Sequence, residues 1–366
     1  MNSPQNYGFI YNEFVIDTSR NIIVKRLRET TPENKDGKMK LQKEIGFYNS
    51  LTAHKIPEPF VTPRIYSTTT TTTATTARDS HRGALPELHI QYFPDHEALT
   101  ERFPYAPASQ ALIIKVIREI LDCISPLHAN SPRLQITDKE YNDAIRAECY
   151  DKIVERYHSV KWEEDIYPDI RRLNYVNGVK VRPFLEYANI IKERVAAAGA
   201  CGDRRYLTFI HGDTHLGNIL VPKRNDRDDD VDLPKYVFID PRGDFASYDV
   251  YGDKHYDYAK LLFGISGYSR FDQMMIHNCD IVPAGDADAD NADALCIQIP
   301  FIDETARIYE SLATPEWQAA VPEITSELTR LISLSIWLGN NSTFVSPHKK
   351  LMSLMIGRYL CERFLG

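Results

Sequence analysis

Two short stretches concentrate the residue types that handle phosphate and metal chemistry. The first runs Phe209-Ile210-His211-Gly212-Asp213-Thr214-His215-Leu216-Gly217-Asn218-Ile219-Leu220, and the second Val237-Phe238-Ile239-Asp240-Pro241-Arg242-Gly243. In each, polar residues follow directly on an apolar run of strand type. Moving a phosphoryl group from a nucleotide to an alcohol needs a carboxylate to receive the acceptor hydroxyl, and oxygen ligands for the magnesium that neutralises phosphate charge. Hard cations that keep some of their water favour carboxylate and amide oxygens. Asp213 and Asn218 stand five residues apart, the spacing of a phosphotransfer catalytic loop, and Asp240 follows where a separate metal-binding aspartate belongs. Asp213 is therefore the candidate catalytic carboxylate, with Asn218 and Asp240 the candidate magnesium ligands.

The same chemistry asks for a strand lysine that steadies the nucleotide phosphates and a helix glutamate that fixes the lysine. Lys25, at the end of Ile22-Ile23-Val24, and Glu44, on the next helical stretch, meet both requirements in order. The elements around them are legible. Residues 9–16 alternate, Thr18-Ser19-Arg20-Asn21 has turn chemistry, and 22–24 returns as a β-branched run, together a hairpin. Between Met39 and Leu51, Leu41, Ile45, Tyr48 and Leu51 recur at helical spacing, and Pro57 and Pro59 end the pattern. Residues 61–67 and 88–93 read as two further strands, separated by a threonine-rich loop over 68–83.

From Ala111 the pattern becomes helical: 111–128, 138–159 and 181–198 carry apolar residues at helical period. Short strand-like runs at 207–210 and 236–239 bracket a loop and an acidic insertion (225–232), with the catalytic loop over 209–220 and the metal-binding strand and loop over 236–243. A second polar insertion covers 284–293, and the remainder to Gly366 reads as helix. The fold class expected is α+β, with a small antiparallel β-rich lobe over residues 1–95 and a large, mainly helical lobe over 96–366.

On the residues His211-Gly212-Asp213 and Asn218, which fit the pattern His-Gly-Asp-x-x-x-x-Asn, and on the pair Leu127-His128, the chain resembles the aminoglycoside phosphotransferase and choline kinase-like family. Residues 239–243, Tyr251-Gly252-Asp253 and 256–262 resemble the branch associated with capsular and surface polysaccharide biosynthesis. The resemblance implies a two-lobed protein-kinase-like fold, with ATP (or another NTP) and Mg²⁺ bound between the lobes and a hinge near residues 91–95. It also implies that Asp213 acts as catalytic base and that Asn218 and Asp240 ligate magnesium. His211 and Asp257 would then brace the site, and the acceptor would be a hydroxyl of a sugar, amino alcohol or related small molecule. The chain departs from the kinase pattern in one respect: Gly8 is the only glycine before Lys25, so no glycine-rich phosphate loop precedes the lysine.

That departure keeps a non-catalytic kinase-fold scaffold as an alternative. A further alternative is a metal-dependent hydrolase built on His211, Asp213 and His215, since alternate His and Asp residues can ligate zinc. The run Asp286-x-Asp288-x-Asp290 lacks the glycine and the terminal glutamate of a calcium loop. A net charge of −8 argues against a nucleic-acid partner. No stretch offers the roughly 20 apolar residues needed for a membrane span. The first residues lack signal-peptide character, and the six cysteines are scattered without a Cys-x-x-Cys pair. A cytoplasmic location is the corresponding expectation.

Overall fold

The alternating run after residue 11 forms strand β1 (Asn12–Asp17), which turns back into β2 (Ile22–Leu27). Asp17 makes the turn: its Oδ1 accepts the N–H groups of Ser19 and Arg20 at 3.0 and 3.2 Å, the local bonding that makes aspartate a turn former. Asn21 completes it with a left-handed φ of 52°, which asparagine tolerates well. In the computed structural model the described residues are 12–27, 35–69, 86–103, 110–199, 206–223, 234–268, 271, 280–284 and 293–366.

Helix α1 (Lys35–His54) follows, longer at both ends than its apolar spacing predicts. Leu41, Glu44, Ile45, Tyr48 and Leu51 are all buried, so the glutamate shares the apolar face. After it come β3 (Ile65–Thr69) and β4 (Glu87–Gln91), completing an antiparallel sheet in the order β1-β2-β4-β3. β3 begins later than the expected residue 61. Pro63 has no N–H to give a ladder, and the Val61 carbonyl accepts the Phe238 N–H at 2.9 Å instead. Most of the threonine-rich loop and the whole 225–232 insertion lie outside the described residues, as do 285–292 of the second insertion.

The chain forms two compact units. The first takes in Met1–Arg102, Ile120–Arg133 and Thr208–Gly252. Besides the four-stranded sheet it contains the strand Ile219–Pro222, paired antiparallel with Val237–Phe238 on one side and with β5 (His96–Ala98) on the other. Thr208 and Phe209 pair with Gly252 and Tyr251. Leu88, Phe209, Ile210, Leu216, Ile219, Val237 and Phe238 are sealed from solvent and form its centre.

The second unit comprises Phe103–Glu119, Leu134–Leu207 and Asp253–Gly366. The expected helix over 138–159 is interrupted. It starts on a capping box of Thr137 and Glu140 and runs as Asp138–Arg146, widens into a π-helical turn at Ala147–Asp151, and resumes as Lys152–His158. The next helix, Phe184–Gly199, starts immediately after Pro183, the position where a missing N–H costs a helix nothing. Helices Glu327–Gly339 and Pro347–Leu365 approach so closely that a Cβ on Gly357 would stand 2.7 Å from Leu338 Cα.

The helical expectation for the C-terminal part needs one correction. Asp280–Pro283 and Leu295–Gln298 are strands, and they join Leu173–Val176 and Val179–Lys180 in a four-stranded sheet. The last two are linked by Asn177-Gly178, both at positive φ, the two-residue hairpin turn that Asn-Gly favours. The described chain is thus mixed helix and strand with several small, mostly antiparallel sheets. None of its helices is long and apolar enough to cross a membrane.

Candidate active site

Lys25, Glu44, Asp213, Asn218 and Asp240 all fall in the first unit. Lys25 sits on β2, where burial alternates so that Lys25 and Leu27 face inward and Arg26 outward. Its Nζ donates to Glu44 Oε2 at 2.5 Å and to Asp240 Oδ1 at 2.6 Å. Phe14, its cross-strand partner, places its ring centroid 5.4 Å from the same ammonium, a cation–π distance. The lysine and glutamate side chains are 8% and 4% exposed, and that of Asp240 is 23% exposed.

One buried cation therefore faces two carboxylates. Burial alone would lower the Lys25 pKa, but the charges of Asp240 and Glu44 outweigh it and hold the ammonium above the ordinary lysine value. Glu44 is pushed up to about 7, first by burial; the Lys25 charge opposes the rise and the Asp240 charge adds to it. Tyr48, one helical turn beyond Glu44, has its hydroxyl buried in the same surroundings. Burial, then the charges of Glu44 and Asp240, raise its pKa far above that of a free phenol.

The loop from His211 to Asn218 is folded largely on itself. Asn218 Nδ2 donates to the Asp213 carbonyl at 2.9 Å and to Asp213 Oδ2 at 3.2 Å. His211 is fully buried, and its Nδ1 accepts the Asp213 N–H at 3.3 Å. Gly212 has a φ of +77°, which strains any other residue, and a Cβ there would crowd Arg242 Cβ at 3.0 Å. Two backbone bonds fasten this loop to the segment bearing Asp240: Arg242 N–H to His211 O at 2.9 Å, and Ile239 N–H to Asn218 O at 3.0 Å. Asp240 is the next residue and takes a left-handed φ of 54°. The five residues are thereby joined in one continuous set of contacts, from Asp213 through Asn218 and Asp240 to Lys25 and Glu44.

The donor set suits magnesium. Asn218 spends its amide nitrogen on Asp213, so the carboxamide oxygen is the atom it can offer a cation. Asp240 spends Oδ1 on Lys25, which leaves Oδ2 on a side chain with partial access to solvent. Two oxygen donors are the number magnesium takes from protein when phosphates and water fill the rest of its shell.

Arg242 forms an ion pair: its Nε lies 2.7 Å from Asp244 Oδ1. Asp244 Oδ2 in turn pairs with Lys43 of α1. Sequence reasoning passed over Lys43, Asp244 and Tyr48. For Tyr48 a signal was present, since it lies four residues from Glu44 on the same helical face. Lys43 and Asp244 meet across 201 positions of chain, and nothing local announces that. Asp257 is buried on the helix Lys254–Phe263, in the second unit.

The hydrolase alternative loses donors. Both His211 and His215 turn Nδ1 onto a backbone N–H of the loop, Asp213 for the first and Gly217 for the second. Among the described residues no three His, Cys, Asp or Glu side chains come together as a metal site.

No family model and no curated protein matches the chain. Solved structures similar to it include a glucosamine kinase, at 14% identity over 98% of this chain and 73% of that one, with a TM-score of 0.46. They also include the microcompartment-associated aminopropanol kinase, at 14% identity over 98% and 91%, TM-score 0.42. Choline kinase from Cryptosporidium parvum Iowa II is similar at 12% identity over 98% and 88%, TM-score 0.45.

Proposed function

We propose that this chain is an ATP- and magnesium-dependent phosphotransferase acting on a hydroxyl of a sugar, amino alcohol or related small molecule in the cytoplasm. The observation that carries the reading is the position of Lys25: it bridges Glu44 and Asp240, and Asp240 follows the residue bonded to Asn218. The side-chain contacts of strand lysine, helix glutamate and strand-end aspartate, with the loop asparagine tied by its backbone to the residue before that aspartate, support a phosphoryl-transfer site.

In this reading Lys25 steadies the nucleotide phosphates and Glu44 orients Lys25. Asn218 and Asp240 hold the metal, and Asp213 receives the acceptor hydroxyl and aligns its oxygen. Bound magnesium supplies charge neutralisation on the phosphates. Asn218 also holds Asp213, because its Nδ2 donates to Asp213 Oδ2 and to the Asp213 carbonyl. Positioning and electrostatics account for the catalysis, and no covalent intermediate with the chain is called for. Residues 1–95 supply the nucleotide-binding lobe and 96–366 the catalytic and metal-binding residues.

An ATP-consumption screen over sugars, amino alcohols and aminoglycosides tests the reading, with Asp213→Asn as the blank. The substitution is expected to lower turnover roughly 10²–10⁴-fold, the effect of losing a positioned base, while nucleotide binding stays nearly intact. Undiminished turnover in the variant refutes the role of Asp213. Nucleotide-dependent stabilisation with no turnover on any acceptor points to the scaffold instead.

A further inference from the structure

The loop that begins at Asp240 is wound against the preferences of its residues. Asp240, Gly243, Ala246 and Val250 have φ of 54°, 68°, 53° and 55°, so three residues with side chains, one of them β-branched, sit in the left-handed region. Such backbone persists only where its surroundings hold it. Backbone bonds supply part of the hold: Val250 N–H donates to Gly243 O at 3.2 Å, and Asp244 and Phe245 pair with Asp249 and Tyr248. Side chains add to it. Asp244 engages both carboxylate oxygens, Oδ1 with Arg242 Nε at 2.7 Å and Oδ2 with Lys43 Nζ. Lys43 and Glu44 are consecutive on α1 yet turn to different partners: Glu44 reaches Asp240 through Lys25, and Lys43 reaches Asp244 directly. Helix and loop are thus joined at two points, and the contacts close a ring through Lys25. The side chains of Lys43, Asp244 and Arg242 are 25%, 15% and 19% exposed, more enclosed than an ordinary surface ion pair.

We propose that Asp244 is a positioning residue for Asp240: by accepting Lys43 and Arg242 together it clamps the loop to helix α1, so that Asp240 and Glu44 stay gathered on the Lys25 ammonium. Neither Asp244 nor Lys43 has a part in holding metal or nucleotide. Both act through the residues that do. The inference rests on the phosphotransferase reading, with Asp240 as a magnesium ligand and Lys25 on the nucleotide phosphates.

Lys43→Met, Asp244→Asn and the double variant test the clamp in the full chain. Because the pair is partly exposed, both single variants are expected to fold, with thermal midpoints close to that of the wild type. Their affinity for MgATP, measured by calorimetry, is expected to fall about fivefold, the upper end of what one such pair contributes. Without nucleotide, hydrogen exchange over residues 240–250 should quicken in Lys43→Met. The double variant should bind MgATP no more weakly than Asp244→Asn, as expected of two residues acting through one contact. Lys43→Arg, which returns a cation to the same place on α1, should recover most of the affinity. A purely structural pair would lower the thermal midpoint and leave MgATP affinity untouched. Wild-type affinity in both single variants, unchanged exchange over 240–250, or losses that add in the double variant overturn the inference alone. A wild-type chain that binds no MgATP overturns the phosphotransferase reading and this inference with it.

Discussion

Two buried cations, one in each unit, are held in opposite ways. Lys25 in the first unit lies between two carboxylates, and their charges keep it firmly protonated. Arg358 in the second unit, on the helix Pro347–Leu365, gives its guanidinium hydrogens to the carbonyls of Arg182, Leu173 and Val181 at 2.8, 2.9 and 3.3 Å. Those partners are dipoles rather than charges, so burial prevails and pushes Arg358 down to about 10. The arginine ties a helix to neighbouring backbone, and these dipoles leave its own positive charge without a counter-ion among those partners. Once Glu44 has given up its proton, which it does near pH 7, the lysine site has one more negative charge than positive, a surplus that a divalent cation can use. Burial of a charge is thus a poor guide to function, whereas the sign of the charge left over is a better one.

The sharpest way to break this contrast is Lys25→Met. It leaves the buried Glu44 and the part-buried Asp240 without their counter-ion, and removing one partner of a buried pair costs about 3–5 kcal/mol, measurable by urea unfolding at neutral pH. The thermal shift given by MgATP should vanish as well. Arg358→Met should cost less, on the order of 1–3 kcal/mol, because three carbonyls lose a donor while the desolvation of a buried cation is recovered. Its MgATP shift should match that of the wild type. A nucleotide response lost in the arginine variant, or retained in the lysine variant, would erase the distinction drawn here.

Glu44→Gln gives a smaller and subtler effect, visible against pH. Glu44 binds its proton more tightly in the folded chain than in the unfolded one. Its stabilising contribution is therefore complete below about 4.5 and is lost as pH rises toward about 7. Over that window the wild-type melting temperature should fall relative to Glu44→Gln, which has no such proton to lose. Parallel curves would mean that Glu44 is ionised throughout, with Lys25 compensating it fully.

What the sequence disclosed and what it hid divide along chain distance. The β1–β2 turn was legible because Asp17 makes its bonds two and three residues away. α1 was legible because its buried face recurs at helical period, and Glu44 could be set against Lys25 because order along the chain sufficed. The Lys25–Asp240 bond spans 215 positions, and no local pattern encodes it. The pairing of Leu173–Val176 with Leu295–Gln298 is hidden for the same reason, although Asn177-Gly178 is a local signal for the hairpin beside it. The orientation of His215 rests on which ring nitrogen meets a backbone amide, a matter of ångströms that spacing does not contain.

Gly243 has a φ of +68°, and a carbon added to it would fall 2.4 Å from the Lys43 carbonyl oxygen. The loop after Asp240 and the helix carrying Glu44 therefore touch backbone to backbone, with no room for even one methyl group between them. A side chain forced in at Gly243 would wedge the helix outward and draw Glu44 from Lys25 while every acid, amide and amine of the site stayed in the chain. A lineage could silence this protein at a position with no chemistry of its own, and an inventory of its reactive residues would still look complete.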